Sequence, residues 1–143
     1  GPVRKNQTRQ MDEEYDSREY QQAATYHAYA KDLCENYSFD RNKYRLCVKE
    51  KRFAAITRSD FAKLKEDLQF LDNALKTVLS EYWDYFRERF VEGLSIRKYA
   101  EAHGLNRGSV DYLQKKFFSA LACLLKERDE AEGKCRLWKP GQN

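Results

Sequence analysis

Phe61, Leu64, Leu68, Leu71, Leu75, Val78 and Tyr82 are separated by 3, 4, 3, 4, 3 and 4 residues. Such spacing holds one narrow apolar seam on a helix, as in a bundle or a coiled coil. Ser59 stands where an N-cap belongs, and Asp60 puts a negative charge in the first turn. Upstream, Tyr15, Tyr20, Ala23, Ala24, His27, Ala30, Leu33 and Cys34 recur at helical steps, predicting a helix from about Asp12 to Tyr37. His27, on or beside that stripe, reads as a packed histidine. The polar stretch Ser38–Asn42 reads as a break. From Tyr44 to Ile56 the pattern is ambiguous. Tyr44, Leu46 and Val48 alternate with polar or small neighbours, which suits a strand. Helix is preferred because the rest of the chain is helical.

From Leu94 the order is LSIRKYAEAHGLNRGSVDYLQKKFFSAL. Ser95 is positioned to cap a short helix whose inward face is Ile96, Tyr99 and Ala100. A small residue at Ala100 lets two helices cross closely. Gly104 stands where a left-handed residue would end that helix. Leu105 would plug the turn, and Asn106 would cap the next helix. That helix would bury Val110, Leu113 and Phe117. A preceding helix, Glu81 to Phe90, would complete a trihelical core with Tyr82, Trp83, Phe86 and Phe90. The pattern predicts a helix-turn-helix whose second helix is offered to a DNA groove. Apolar period continues through Leu121 and Leu124 to Arg128, with Phe118, Cys123 and Leu125 widening the face. A groove admits only the first two or three turns, so the remainder must pack on the N-terminal helices or on a second subunit.

At these residues the chain resembles the C-terminal, promoter-reading domain of sigma factors. Leu79-Ser80-Glu81 through Phe90 is similar to its first helix, and Leu94-Ser95-Ile96 to the opening of its scaffold helix. Gly104-Leu105-Asn106-Arg107 resembles its turn, and Val110 and Leu113 match two apolar recognition-helix positions. Residues 80–130 carry the likeness. No domain that melts a promoter accompanies it, and the arrangement looks more like the sigma-like regulators of phages and mobile elements, the ArpU/RinA-type late activators. The resemblance implies a transcriptional regulator that binds duplex DNA, with RNA polymerase as a second partner. Gly108 and Ser109 depart from the polar or charged residues that sigma factors carry after the turn, so base preference does not transfer.

Composition narrows this without changing it. Two prolines and six glycines in 143 residues suit an all-α chain. That chain divides into a tail at 1–10, whose Gly1-Pro2 reads as a protease-cleavage remnant, a helical or oligomerising region at 11–79, a helix-turn-helix domain with an extended recognition helix at 80–132, and a flexible tail at 133–143. No apolar run approaches the roughly 18 residues of a membrane span, and no signal peptide opens the chain. A cytoplasmic protein, in a bacterial host and associated with the nucleoid, is expected. Cys34, Cys47, Cys123 and Cys135 show no CxxC spacing, so no metal is expected, and Cys123 reads as a buried apolar residue. No nucleophile–base pair, HExxH or phosphate loop is visible, and neither an enzyme nor a cofactor is expected.

The net charge of +4 hides an asymmetry. Residues 11–40 hold two Lys/Arg against eight Asp/Glu, a net of −6. Residues 41–58 hold seven basic residues against Glu50, a net of +6, and residues 87–116 hold seven against four, a net of +3. Basic islands of this kind suit nucleic acid. The candidate contact residues are Arg97, Lys98, Asn106, Arg107, Ser109, Asp111, Tyr112, Lys115 and Lys116. A homodimer is expected, formed through the Phe61–Val78 seam or the Phe117–Leu125 face. Competing functions are a sigma-like adaptor that binds RNA polymerase or another regulator, and a phage small-terminase or recombination accessory protein.

Overall fold

Between Pro2 and Gly93 the sequence contains neither glycine nor proline, so helices there stop where caps and packing stop them. The computed structural model describes residues 2–49 and 56–134, with side chains placed from residue 18 onward. Among the described residues it is all-α, with no strand. Helix α1 spans Pro2–Glu35, α2 Tyr37–Lys49, α3 Arg58–Lys76, α5 Ile96–His103 and α6 Arg107–Ala131. Helix α4 joins a 3-10 turn (Ser80–Tyr82), an α turn (Trp83–Phe86) and a π turn (Arg87–Val91).

Several local expectations are corrected. Residues 2–10, expected to be an unstructured tail, are part of α1, since Pro2 is tolerated in a first turn and no breaker follows. No break falls at Ser38–Asn42. The chain turns at Asn36, whose N–H and side-chain amide both donate to the Asp32 carbonyl, at 3.0 and 2.9 Å. The preference for helix from Tyr44 onward holds as far as Lys49, and Tyr44 stacks on Phe61 at 5.5 Å. Residues 50–55, in the remainder of that segment, lie outside the described residues, as does 135–143 of the C-terminal tail. The cap of α3 is Thr57, not Ser59: its hydroxyl accepts from the Asp60 N–H at 3.1 Å. Cys123 is exposed rather than buried. Cys34 and Cys47 are the buried thiols.

The expected buried stripe of α1 holds at Ala30, Leu33 and Cys34 but fails in its N-terminal half. Tyr26, Tyr29, Ala30, Leu33 and Cys34 point inward, whereas Ala23, Ala24 and Tyr20 are exposed. His27 packs edge-on against Phe118 at 5.7 Å, and burial together with Lys31 and Lys115 lowers its pKa. Leu68, Leu71 and Leu75 of α3 share one apolar core with Phe117, Phe118, Leu121 and Leu125 of α6. The two faces offered for a homodimer are thus buried within one chain. Of the seam, Val78 stands out in solvent, because α3 ends at Lys76. The same core crosses residue 80 without a gap, taking in Leu79, Tyr82 and Phe86.

A charged node closes the core at the far end of α6. Arg128 donates to Asp67 at 3.1 Å, to Asp129 at 3.3 Å and to the Tyr29 hydroxyl at 3.0 Å. Tyr29 donates to Asp67 at 2.7 Å, and Tyr26 to Asp129 at 2.8 Å. α1, α3 and α6 therefore meet at one guanidinium, which also lies over the Phe70 ring at 4.8 Å. Removing it would strand two buried carboxylates. Arg128→Ala is expected to lower stability by about 3–5 kcal/mol in urea unfolding, and a loss below about 1 kcal/mol would contradict the assignment.

Burial, reinforced by Asp67 and Asp72 respectively, raises the pKa of Tyr29 and Tyr37, and burial raises that of Tyr85. A folded value above the unfolded one means that the stabilisation is complete below pH 10 and is lost as pH climbs through the folded values. Burial also raises the pKa of the Cys34 thiol, so thermal melts should begin to fall as pH rises past about 9 and fall further above pH 10. A Tm indifferent to pH in that range would show these phenols to be solvated.

Candidate nucleic-acid interface

Arg89 sets the entry to the interface. Its guanidinium donates to the Leu94 carbonyl at 2.7 Å, to the Gln114 side-chain oxygen at 2.7 Å and to the Tyr85 hydroxyl at 3.3 Å. This one side chain ties the π turn, the lead into α5 and the third turn of α6. Tyr85 lies beneath it, packed edge-on against Tyr99 at 5.1 Å and Phe117 at 6.1 Å. Tyr85 is buried, whereas Trp83, expected in that core, is 41% exposed. Tyr82, Tyr85 and Phe86 stand at i, i+3 and i+4 and so turn inward together, ahead of the π turn.

Local chemistry then builds two helices joined by a three-residue turn. The Ser95 hydroxyl accepts from the Lys98 N–H at 3.1 Å, capping α5. Tyr99 and Ala100 are buried between α5 and its neighbours. Gly104 adopts φ 62° and ψ 33°, a left-handed conformation that costs glycine little. Its N–H donates to the Glu101 carbonyl, and that of Leu105 to Ala100 at 2.9 Å, which satisfies the last carbonyls of the helix. Leu105 does not plug the turn; it is 43% exposed, and its backbone makes the closing bond instead. The Asn106 side-chain oxygen accepts from the Ser109 N–H at 2.8 Å and caps α6.

Beyond that cap the helix separates its faces. Val110 and Phe117 are fully buried and Leu113 and Gln114 half-buried, while Arg107, Gly108, Ser109, Asp111, Tyr112, Lys115 and Lys116 are exposed. Arg107 lies 3.9 Å from Asp111, and the Lys116 ammonium sits 5.6 Å from the centre of the Tyr112 ring. Asn106, Arg107, Ser109, Asp111, Tyr112, Lys115 and Lys116 thus come together on the first turns of one helix. Arg97 and Lys98 occupy the exposed first turn of α5, where Arg97 pairs with Glu101 at 3.3 Å. These ion pairs are largely solvated and hold their cations weakly. Asn106 differs from the rest, since its oxygen is committed to the cap and only its amide nitrogen faces outward contacts.

Two further residues brace the unit and were missed in the sequence. His103 Nε2 lies 2.9 and 3.1 Å from the two Glu88 carboxylate oxygens, and its ring stacks on Tyr99 at 4.2 Å. Fifteen residues separate His103 from Glu88, so no helical spacing links them. Arg87, counted within the basic island, is paired with Glu92 at 2.6 Å, and Arg89 is turned inward. Among the described residues no cluster of His, Cys, Asp and Glu could hold a metal ion, and no helix is long and apolar enough to cross a membrane. No family model, curated protein or solved structure matches the chain.

Asn106→Ala should cost about 1 kcal/mol through the lost cap, and Asn106→Asp should restore it. Ala100→Leu should cost about 1–3 kcal/mol by overpacking the crossing of α5. Equal melting of Ala100→Leu and the parent chain would remove the close crossing.

Proposed function

We propose that the chain is a sequence-specific, duplex-DNA-binding transcriptional regulator that reads the major groove with the first turns of α6. The supporting observation is the division of that helix into two faces: one is buried from Val110 to Leu125, while the other stands free over the first turns with three cations, a hydroxyl, a carboxylate and an aromatic ring. Arg107, Ser109 and Asp111 carry the donors and acceptors that can meet base edges. Lys115, Lys116, Arg97 and Lys98 suit phosphates, which set register without reading sequence. Tyr112 offers an apolar face to a thymine methyl.

The resemblance to sigma-like regulators of phages and mobile elements supports a role in transcription in a bacterial cytoplasm, with RNA polymerase as a second partner. Pairing of two copies would have to use a surface other than the seams now buried. The exposed Leu105 and Tyr112 favour one alternative, a sigma-like adaptor that docks on RNA polymerase or another regulator and touches DNA weakly.

Fluorescence anisotropy with labelled duplexes separates the two. Lys115→Ala with Lys116→Ala should weaken binding to every sequence and flatten the slope of log K against log salt by about 0.9 per lost phosphate contact. Arg107→Ala should instead reduce the preference between sequences by about 1–3 kcal/mol. Unchanged affinity in both variants would withdraw the reading.

A further inference from the structure

The second basic island became a surface feature when α2 formed. Ser38, Arg41, Asn42 and Arg45 recur at steps of three, one and three residues and line one open recess of about 370 Å³. Lys49 continues the stripe one turn further, and Arg41, Asn42, Arg45 and Lys49 are all exposed. Tyr37 and Cys47 of the same helix are buried, and Tyr37 borders the stripe one turn before Arg41. Asp40, the acid within α2, is half-buried beside Lys43. Among the described residues, no carboxylate pairs with Arg41, Arg45 or Lys49. Arg45 donates to the Asn42 side-chain oxygen at 2.9 Å, and Arg41 lies against the Tyr37 hydroxyl. Both guanidiniums are therefore propped by uncharged groups and retain free N–H donors, with the Tyr37 hydroxyl itself donating to Asp72 at 3.1 Å.

This stripe is fixed to the helix-turn-helix rather than hung from a linker. The Ser38 hydroxyl donates to the Phe90 carbonyl at 2.7 Å, within the π turn of α4. The neighbouring Arg89 holds the Leu94 carbonyl, one residue before the Ser95 cap of α5. Seven residues separate Phe90 from Arg97, so even a fully extended chain would place their α-carbons within about 25 Å. Duplex DNA carries a phosphate charge for every ~1.7 Å of its axis, so basic groups on elements linked this tightly can meet phosphates of one duplex.

We infer that the Ser38–Arg41–Asn42–Arg45 face of α2 is a second, sequence-independent contact for the phosphate backbone of the duplex read by α6. The inference deepens the proposed function and rests on it for the identity of the nucleic acid. Charge complementarity and the rigid link to α4 select this occupant. The face has fork-shaped donors that match phosphate oxygens, and the four residues lining its recess are all polar or cationic.

The test measures salt-dependent binding of the full chain to a labelled duplex of arbitrary sequence. Arg41→Gln with Arg45→Gln should lower affinity equally on every duplex and reduce the salt slope by about 1.8, at 0.9 per contact. Arg45→Gln alone, which disturbs no buried group, should remove about half of that and guards against misfolding of the double variant. Unaltered slope and affinity in both variants, with the parent chain still binding DNA, would overturn the inference and leave the reading of α6 intact. Loss in these variants with no loss in the Lys115/Lys116 variant would keep the α2 contact and sink the α6 reading. A parent chain that binds no duplex, or binds an acidic peptide in its place, would end both.

Discussion

Val110, Phe117, Phe118, Leu121 and Leu125 lie along one face of α6, and each is at most 1% exposed. Burying such side chains stabilises a fold by about 1.5–3 kcal/mol each, so this one stripe rivals the net stability of a small domain. A helix of 25 residues cannot cover that stripe by itself. Helix α1 packs along it, α3 closes the other side, and α4 supplies Phe86 and Tyr85 at the end nearest the turn. The placement of α1 and α5 follows from this demand, since both pack directly on α6.

The two ends of α6 are finished by different means. At its C-terminal end, Arg128 gathers carboxylates and phenols from three helices, so hydrogen bonds with strict geometry add to apolar burial with little directionality. At its N-terminal end the positioning groups are an amide cap, a left-handed glycine and Arg89 beneath the turn. None of these needs a ligand to be in place. The outward face is therefore held ready, and a partner would not have to order it first.

What could be read from the sequence was local. Ser95, Gly104 and Asn106 act within four residues of themselves, and all three cap or end helices as their chemistry dictates. The all-α class followed from the scarcity of glycine and proline and from clean apolar periods. Misreadings arose where two local choices were equivalent and distant packing decided. Thr57 and Ser59 are both competent caps, and Ala23 or Tyr26 could each have led the buried face of α1. The polar run Ser38–Asn42 was read as a break, yet without a breaker it continues a helix whose Tyr37 and Cys47 are buried. The Arg128 node was not legible, because arginine and aspartate ordinarily signal solvent and their partners lie as many as 103 residues apart. On α6, the exposed positions were legible from the helical period. Its bracing by Arg89, Gln114, Glu88 and His103 was not.

Whether the free turns of α6 meet DNA is the central question. A titration of the isotope-labelled chain with a duplex, followed by amide NMR shifts, addresses this residue by residue. The largest changes should fall on the amides of residues 97–98 and 106–116 and should shrink as salt is raised, while those of Leu71, Leu121 and Leu125 stay in place. Duplex binding that leaves residues 106–116 unmoved, or an unchanged spectrum at low salt, would contradict such contact.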